Sequence, residues 1–422
     1  MKISIPYYKE HLEADIDEKY LNGVFEPALP PPVDQEACVR AALDNPIASP
    51  RLEELAKGKR NVVIITSDHT RPVPSKIIMP QILRRIRAGQ PDAQITILVA
   101  TGFHRGTSRD ELVAKLGQDI VDNERIAIHD SSDDSCLVPA GTLPSGGQLI
   151  INRLAMEADL LVAEGFIEPH FFAGFSGGRK SVLPGIVSRK TVFANHCSEF
   201  IASPFARTGN LEHNPIHEDM LFAAETARLA FIVNVVLDGQ KRIVHAVAGH
   251  FRKAHEEGCR WLGSFSRINV PTADIVITSN GGYPLDQNIY QSVKGMTAGE
   301  AVCRQGGCIV IAASCIDGHG GESFFRNLSS CNSPHELTER ILKVPRDKTE
   351  ADQWQFQIMA RVMEKCNVIL VTRHCPHDII RKMHFTPAES LQQALEIARQ
   401  RLGSEARISV VPDGVAVIPQ PV

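Results

Sequence analysis

The sequence has no long apolar run, no excess of either charge and no paired-cysteine motif, and each absence removes a class of function. No apolar stretch approaches the roughly 20 residues that cross a bilayer, and Met1 to His11 lack the apolar centre of a secretory signal, so a cytoplasmic protein is expected. Lys and Arg number 45 against 49 Asp and Glu, interspersed along the chain, for a formal net charge of -4. No basic footprint for nucleic acid or an anionic membrane emerges, and a small-molecule substrate fits better. Ten cysteines are scattered from Cys38 to Cys375, and the closest pair, Cys303 and Cys308, has neither redox nor usual zinc spacing. They read as reduced, mostly buried small hydrophobes.

The chain does hold ample core-forming material, 43% of 422 residues, and is longer than one hydrophobic core of about 250–300 residues can organise. Short runs rich in Val, Ile and Leu alternate with longer amphipathic stretches, the pattern of an α/β protein with mainly parallel sheets. Strands are expected at 61–66, 94–99, 159–163, 274–278, 308–312 and 367–371, each continuously apolar as a strand covered on both faces should be. Ser108-Arg-Asp-Glu111 reads as a capping box opening a helix, and Thr386-Pro-Ala-Glu389 as another with proline in its first turn. Residues 230–237 and 242–247, joined across Asp238-Gly239, read as a hairpin. Two α/β domains are expected, 1–270 and 271–404, with a tail over 405–422 that packs back on the first and an active-site cleft between them.

In open α/β sheets ligands bind beyond the carboxyl ends of the strands, which directs attention to the residues just after each apolar run. Ser67-Asp-His-Thr-Arg-Pro72 comes after the first and Ala100-Thr-Gly-Phe-His-Arg105 after the second. The third leads into Glu164-Gly-Phe-Ile-Glu-Pro-His170 and Phe171-Phe-Ala-Gly-Phe-Ser-Gly-Gly-Arg-Lys180, and the fourth into Ser279-Asn-Gly-Gly-Tyr-Pro-Leu-Asp286. Singly each is weak: Asp68 with Arg71 could be a turn-stabilising pair, and His104 could serve only its loop. The stretch from Ala173 to Gly185 says more. Its glycines around Ser176 permit close backbone approach, so that Ser176, Gly177 and Gly178 could cradle a phosphate with Arg179 or Lys180 adding charge. It is not a Walker loop, because the glycine spacing is wrong and Arg179 separates the glycines from Lys180.

Together these segments resemble the nickel-pincer lactate racemase family. The resemblance runs through Asp68-His-Thr-Arg71, Thr101-Gly-Phe-His-Arg105, the series His170, Lys180 and His196, Asp286-Gln-Asn-Ile-Tyr-Gln-Ser-Val-Lys294, and Trp354. It implies a 2-hydroxyacid racemase holding pyridinium-3,5-bisthiocarboxylic acid mononucleotide as a thioamide on Lys180, with nickel bound by that pincer and by His196. It further implies His104 and His170 as the acid/base pair and Arg71, Gln291 and Lys294, with Tyr290 beside them, as the substrate site. Asp68, Ser176, Gly177, Gly178 and Arg179 would then serve the cofactor, and separate enzymes would synthesise it.

The implied chemistry is physically reasonable. The C2 hydrogen of a hydroxy carboxylate is very weakly acidic beside an existing anion, so transient oxidation to the 2-keto acid is the easier path, and racemisation needs one base per face. Two imidazoles suit that reversible task. Three other readings stay open: the same chemistry on a larger hydroxy acid such as malate, an aryl lactate or an aldonate; a zinc hydrolase using His104, His170 and His196; and a non-catalytic nucleotide-binding protein.

Overall fold

All six apolar runs are strands, and they are divided between two six-stranded sheets. The computed structural model describes residues 1–422. In the first sheet the spatial order is Ile243–Gly249, Leu229–Leu237, Leu160–Phe166, Asn61–Ser67, Gln94–Ala100 and Arg125–Ile128. All neighbours are parallel except the edge pair Leu229–Leu237 and Ile243–Gly249, the expected hairpin. The chain thus works outward from Asn61–Ser67 to one edge, then returns to Leu160–Phe166 and works outward to the other. Such a reversal leaves a crevice at the carboxyl ends of these two central strands.

The second sheet runs Thr386–Ala388, Asn367–Val371, Cys303–Ala312, Ala273–Ser279, Ile408–Val411 and Leu21–Val24, parallel throughout. The first 24 residues, grouped by sequence with the first half, therefore lie with this sheet. Leu21–Val24 pairs with Ile408–Val411, and the hairpin of Lys2–Tyr7 and Glu10–Asp15 buries Ile3, Ile5, Tyr7 and Leu12 against the second sheet's apolar face. A four-residue edge strand carries no periodicity that could reveal a partner at the opposite end of the chain. The tail is shared: Ile408–Val411 stays in the second sheet, while Ile418–Pro421 pairs with Arg267–Val270. A cluster of 64 buried residues extends from Val63 and Leu161 to Ile309 and Leu370, so the two sheets share a continuous core.

The capping box at Ser108 is present, with Glu111 N–H donating to Ser108 Oγ at 3.3 Å and Ser108 N–H to Glu111 Oε2 at 2.8 Å. The one expected at Thr386 is not. Thr386–Ala388 is an edge strand, a place that tolerates Pro387, and the helix Leu391–Leu402 starts later with Ser390 Oγ accepting from Gln393 N–H at 3.1 Å. No helix is long and apolar enough to cross a membrane. Ser390→Ala should cost about 1 kcal/mol in denaturant unfolding and Thr386→Ala markedly less; equal costs would restore the cap at Thr386.

Candidate active site

The crevice at the chain reversal opens into a cavity of about 230 Å³ whose walls come from both sheets. From the first sheet, the loops after Gln94–Ala100 and Leu160–Phe166 bring His104 and His170 to either side of the Asp68-to-Arg71 segment that leaves the strand between them. Lys180 and His196 line the same cavity. The second sheet contributes the first turns of helix Ile289–Val302, with Tyr290, Gln291 and Lys294, and Trp354 and Gln355 from helix Gln353–Lys365. Asn288 caps the former helix, its Oδ1 accepting from Gln291 N–H at 2.9 Å, so a helix amino terminus with its partial positive charge faces the cavity.

His104 is held by a carboxylate. Its Nδ1 lies 2.7 Å from Asp68 Oδ2, while Asp68 Oδ1 accepts from Thr70 Oγ at 2.6 Å and from Thr70 N–H at 3.1 Å. Asp68 is only 1% exposed, and burial opposes its charge, but the bonds from His104 and Thr70 and the nearby Arg71 hold its acidity at about 2. An ionised Asp68 keeps the proton of His104 on Nδ1 and leaves Nε2 free to accept one. His170 has the reverse tautomer, because Ala173 N–H donates to its Nδ1 at 3.3 Å and its Nε2 sits 3.3 Å from Lys180 Nζ.

Positive groups crowd this space. Burial, and then Lys180, Lys294 and Arg71, push His170 well below its ordinary value; burial, and then Arg179, Arg71 and Lys294, do the same to Lys180. Both causes favour the uncharged form of the Lys180 amine. Burial and then Lys180 lower His196 to about 3, and the neutral ring packs edge-on against Phe172 and Trp354 with Nδ1 buried and unpartnered. Lys294 falls only to about 8, through burial and then Arg71, opposed by Glu168. Burial and then Asp352 keep the Tyr290 hydroxyl protonated, and Gln291 Oε1 is a buried acceptor without a donor.

The glycine-rich loop differs from its sequence reading. The Ser176 hydroxyl is committed to its own backbone, donating to the Phe166 carbonyl at 2.9 Å and accepting from Glu168 N–H at 2.9 Å. Gly178 N–H donates to Asn234 Oδ1 at 2.7 Å, and a Cβ there would lie 2.6 Å from the His255 ring. A Cβ on Gly177 would meet Asn234 Oδ1 at 2.7 Å and the Phe166 carbonyl at 2.8 Å. Ser176, Gly177 and Gly178 line the cavity, but the Ser176 hydroxyl and the Gly178 N–H are already bonded within the protein and the two glycines are packed against its interior. Arg179 is fully buried and points away from the cavity, so it does not serve as a cofactor contact.

Sequence reasoning missed Phe103, Gln355 and Glu164, which also line the cavity. Glu164 interrupts an apolar run, which is a usable signal; it is buried with Oε1 accepting from Thr66 and Ser75 at 2.5 Å each. No three His, Cys, Asp or Glu side chains converge as a metal-binding group, so the zinc-hydrolase alternative has no ligand set.

Residues 7–209 match the lactate racemase N-terminal domain family and residues 268–419 the lactate racemase C-terminal domain family. This chain belongs to the lactate racemase family. The lactate racemases of Thermoanaerobacterium thermosaccharolyticum and Lactiplantibacillus plantarum are each 54% identical to it over 419 residues, covering 99% of this chain and 98% and 99% of their own. The solved structure of the lactate racemase apoprotein from T. thermosaccharolyticum superposes with a TM-score of 0.97 over the whole of both chains. A Thermotoga maritima protein, 19% identical, shares the fold alone, with a TM-score of 0.66 over 93% of this chain and all of its own. The family member is an enzyme of the racemase class, and so an isomerase, which displaces the non-catalytic reading.

Gly178→Ala should destabilise the enzyme by about 2–3 kcal/mol in denaturant unfolding, because strained backbone at φ +52° adds to the overlap with His255. Gly146→Ala, with φ +90° and open space around it, should cost only about 1 kcal/mol. Equal costs would mean that backbone strain alone dictates the glycine.

Proposed function

We propose that this enzyme interconverts the enantiomers of lactate, or of a 2-hydroxy acid of nearly that size, in the cytoplasm, using the nickel-pincer mononucleotide covalently attached to Lys180. The observation that carries the reading is the convergence on one small cavity of a lysine amine, a lone neutral imidazole and two further imidazoles of opposite tautomer. The residues fit that cofactor. A thioamide forms from an uncharged amine, the form that burial and the neighbouring cations favour for Lys180. His196 Nδ1 is buried without a partner, and a single imidazole cannot bind a metal by itself, so the remaining ligands would come from a group anchored nearby. When bound, the nickel-pincer nucleotide would supply a reversible acceptor for the C2 hydrogen as hydride. Cofactor-synthesis enzymes would be the partners that load it.

The chain's own residues supply everything else. Arg71, Lys294 and the capped end of helix Ile289–Val302 present positive charge for the substrate carboxylate, and Gln291 Oε1 offers an acceptor for a hydroxyl. Asp68 orients His104 so that bare Nε2 can take the hydroxyl proton of one enantiomer; it touches neither substrate nor cofactor in this reading. To perform the same service from the other side of the Arg71 segment, His170 must carry its proton on Nδ1 and give up the bond from Ala173 N–H, which frees Nε2 to accept. Phe103, Phe172, Tyr290 and Trp354 wall the cavity, and the choice of lactate over an aryl lactate or aldonate is supported by the 54% identity to lactate racemases.

Intact mass spectrometry after co-production with the cofactor-synthesis enzymes tests the attachment. Wild type should carry an added mass that Lys180→Ala lacks, while His196→Ala should keep the organic mass and lose nickel in metal analysis. An adduct surviving in Lys180→Ala would sink the assignment.

The two-base arrangement has its own test. His104→Ala and His170→Ala should each lower steady-state racemisation by roughly 10²–10⁴-fold. In single turnover, 2-oxo acid trapped by a carbonyl reagent should form from one enantiomer in the first variant and from the other in the second. Equal yields from both enantiomers would reduce these histidines to pocket walls.

A further inference from the structure

The segment Ser279 to Asp286 leaves the carboxyl end of the central strand Ala273–Ser279 in the second sheet and lends no side chain to the cavity. It nevertheless grips the helical turn that does. Asn280 is 0% exposed, and its side-chain amide is used in full. Nδ2 donates to the carbonyl of Leu285 and, at 2.9 Å, to that of Gln291; Oδ1 accepts from Gly295 N–H at 2.7 Å. Only one orientation of the amide satisfies these partners, since the two carbonyls can only accept and the N–H can only donate.

In an uninterrupted α-helix the carbonyl of residue 291 pairs with the N–H of residue 295. Here one side chain from another element engages both groups, and a side chain set into the ladder in this way re-aims the turn ahead of it. The backbone is shaped for the approach. A Cβ on Gly295 would lie 2.5 Å from the Ser279 carbonyl and 2.9 Å from Asn280 Oδ1, and one on Gly414 would lie 2.7 Å from the Gly295 carbonyl, so glycines let helix Ile289–Val302 come down onto the strand end. Two further amides hold the same turn: Asn288 Oδ1 accepts from Gln291 N–H, and Gln355 Nε2 donates to the Tyr290 carbonyl. A first turn frays readily because its own N–H groups lack partners within the helix, and this is the turn that places Tyr290, Gln291 and Lys294 in the cavity wall.

We propose that Asn280 is a positioning residue for substrate binding: by bridging the Gln291 carbonyl and the Gly295 N–H it fixes the turn that aims Gln291 and Lys294 into the cavity. Residues 291 and 294 are neighbours on one helix face, so a shift of that turn carries both away together. The bond to Leu285 would by itself shape the loop; the two bonds to the helix are what extend the strand's rigidity to the cavity wall. Asn280 touches neither substrate nor cofactor. Without its amide the helix can close its own 291-to-295 bond, and nothing then ties the turn to the strand end.

The role assigned to Asn280 rests on the reading of Gln291 and Lys294 as substrate contacts. Cofactor-loaded enzyme is titrated with racemic lactate, whose composition turnover cannot change, and Kd is read by ligand-observed NMR beside steady-state KM and kcat. Asn280→Ala should raise Kd and KM together by about tenfold and leave kcat within about twofold, the pattern of lost uniform binding. In a protein carrying Gln291→Ala and Lys294→Ala, adding Asn280→Ala should leave Kd where it stood, because a residue that acts through those two has nothing left to position. A wild-type Kd in Asn280→Ala, or a further tenfold rise in the doubly substituted background, overturns the proposal and reduces Asn280 to a structural tie. Should Asn280→Ala not fold, Asn280→Asp decides by the same two comparisons: it keeps the shape and the bond from Gly295 N–H but cannot donate to the Gln291 carbonyl. Failure of the substrate-site reading shows differently, as wild-type Kd in the protein carrying only Gln291→Ala and Lys294→Ala, and it would overturn both.

Discussion

Between Asn61–Ser67 and Leu160–Phe166 the chain reverses its direction of travel across the sheet, so the connections leaving these two neighbours diverge and no helix can cover the gap at their carboxyl ends. Everything functional in the first half depends on that gap. Asp68 to Arg71 leaves one of its strands, Glu168 and His170 leave the other, and His104 reaches in from the next strand along. The opening is closed from above by the second sheet, whose helix Ile289–Val302 directs its capped amino terminus into the cavity. Because both sheets share one core, the two walls are held in register by packing, with polar links such as Arg346 to Glu199 and Gln357 to the Ser198 carbonyl beside it.

The cavity inverts the usual balance of buried charge. The cations Arg71, Arg179 and Lys294 act on Lys180 in a region where Asp68 is taken up by His104 and Glu164 by two hydroxyls, which leaves Glu168 as the one opposing acid. Such a site is unfavourable for protonated imidazole and favourable for anions. His170 and His196 are accordingly neutral in a space that still attracts a carboxylate. Metal binding by side chains alone is not available there either: the chain brings one orphaned imidazole and no second ligand.

The central strands were legible in the sequence because each is buried on both faces and must be apolar at every position. The edges were not. Leu21–Val24 and Thr386–Ala388 are short and half-exposed, and at Thr386 the threonine, proline and glutamate that mimic a helix start are equally at home on a sheet edge. In the site, the residues that converge were visible as polar segments after apolar runs and through the family resemblance. Their pairings were not, since Asp68 reaches His104 across two loops. The direction of Arg179 was hidden for a local reason: in the 3-10 turn Gly178–Ser181 successive side chains point about 120° apart, so Arg179 enters the interior while Lys180 lines the cavity. A motif of glycines before two cations looks alike whether it wraps a phosphate or a guanidinium.

The contrast between Lys180 and Lys294 shows how one cavity gives two lysines different work. Both lie beside Arg71, and burial is the first cause lowering each. Lys294 has Arg71 against it and Glu168 for it, and at about 8 it keeps most of its charge at neutral pH. Lys180 has Arg179 added, bonded to it through the backbone and uncompensated by any carboxylate, and falls well below its ordinary range. A charged lysine suits an anion and a neutral one suits bond formation, which is the division that the roles proposed for Lys294 and Lys180 require.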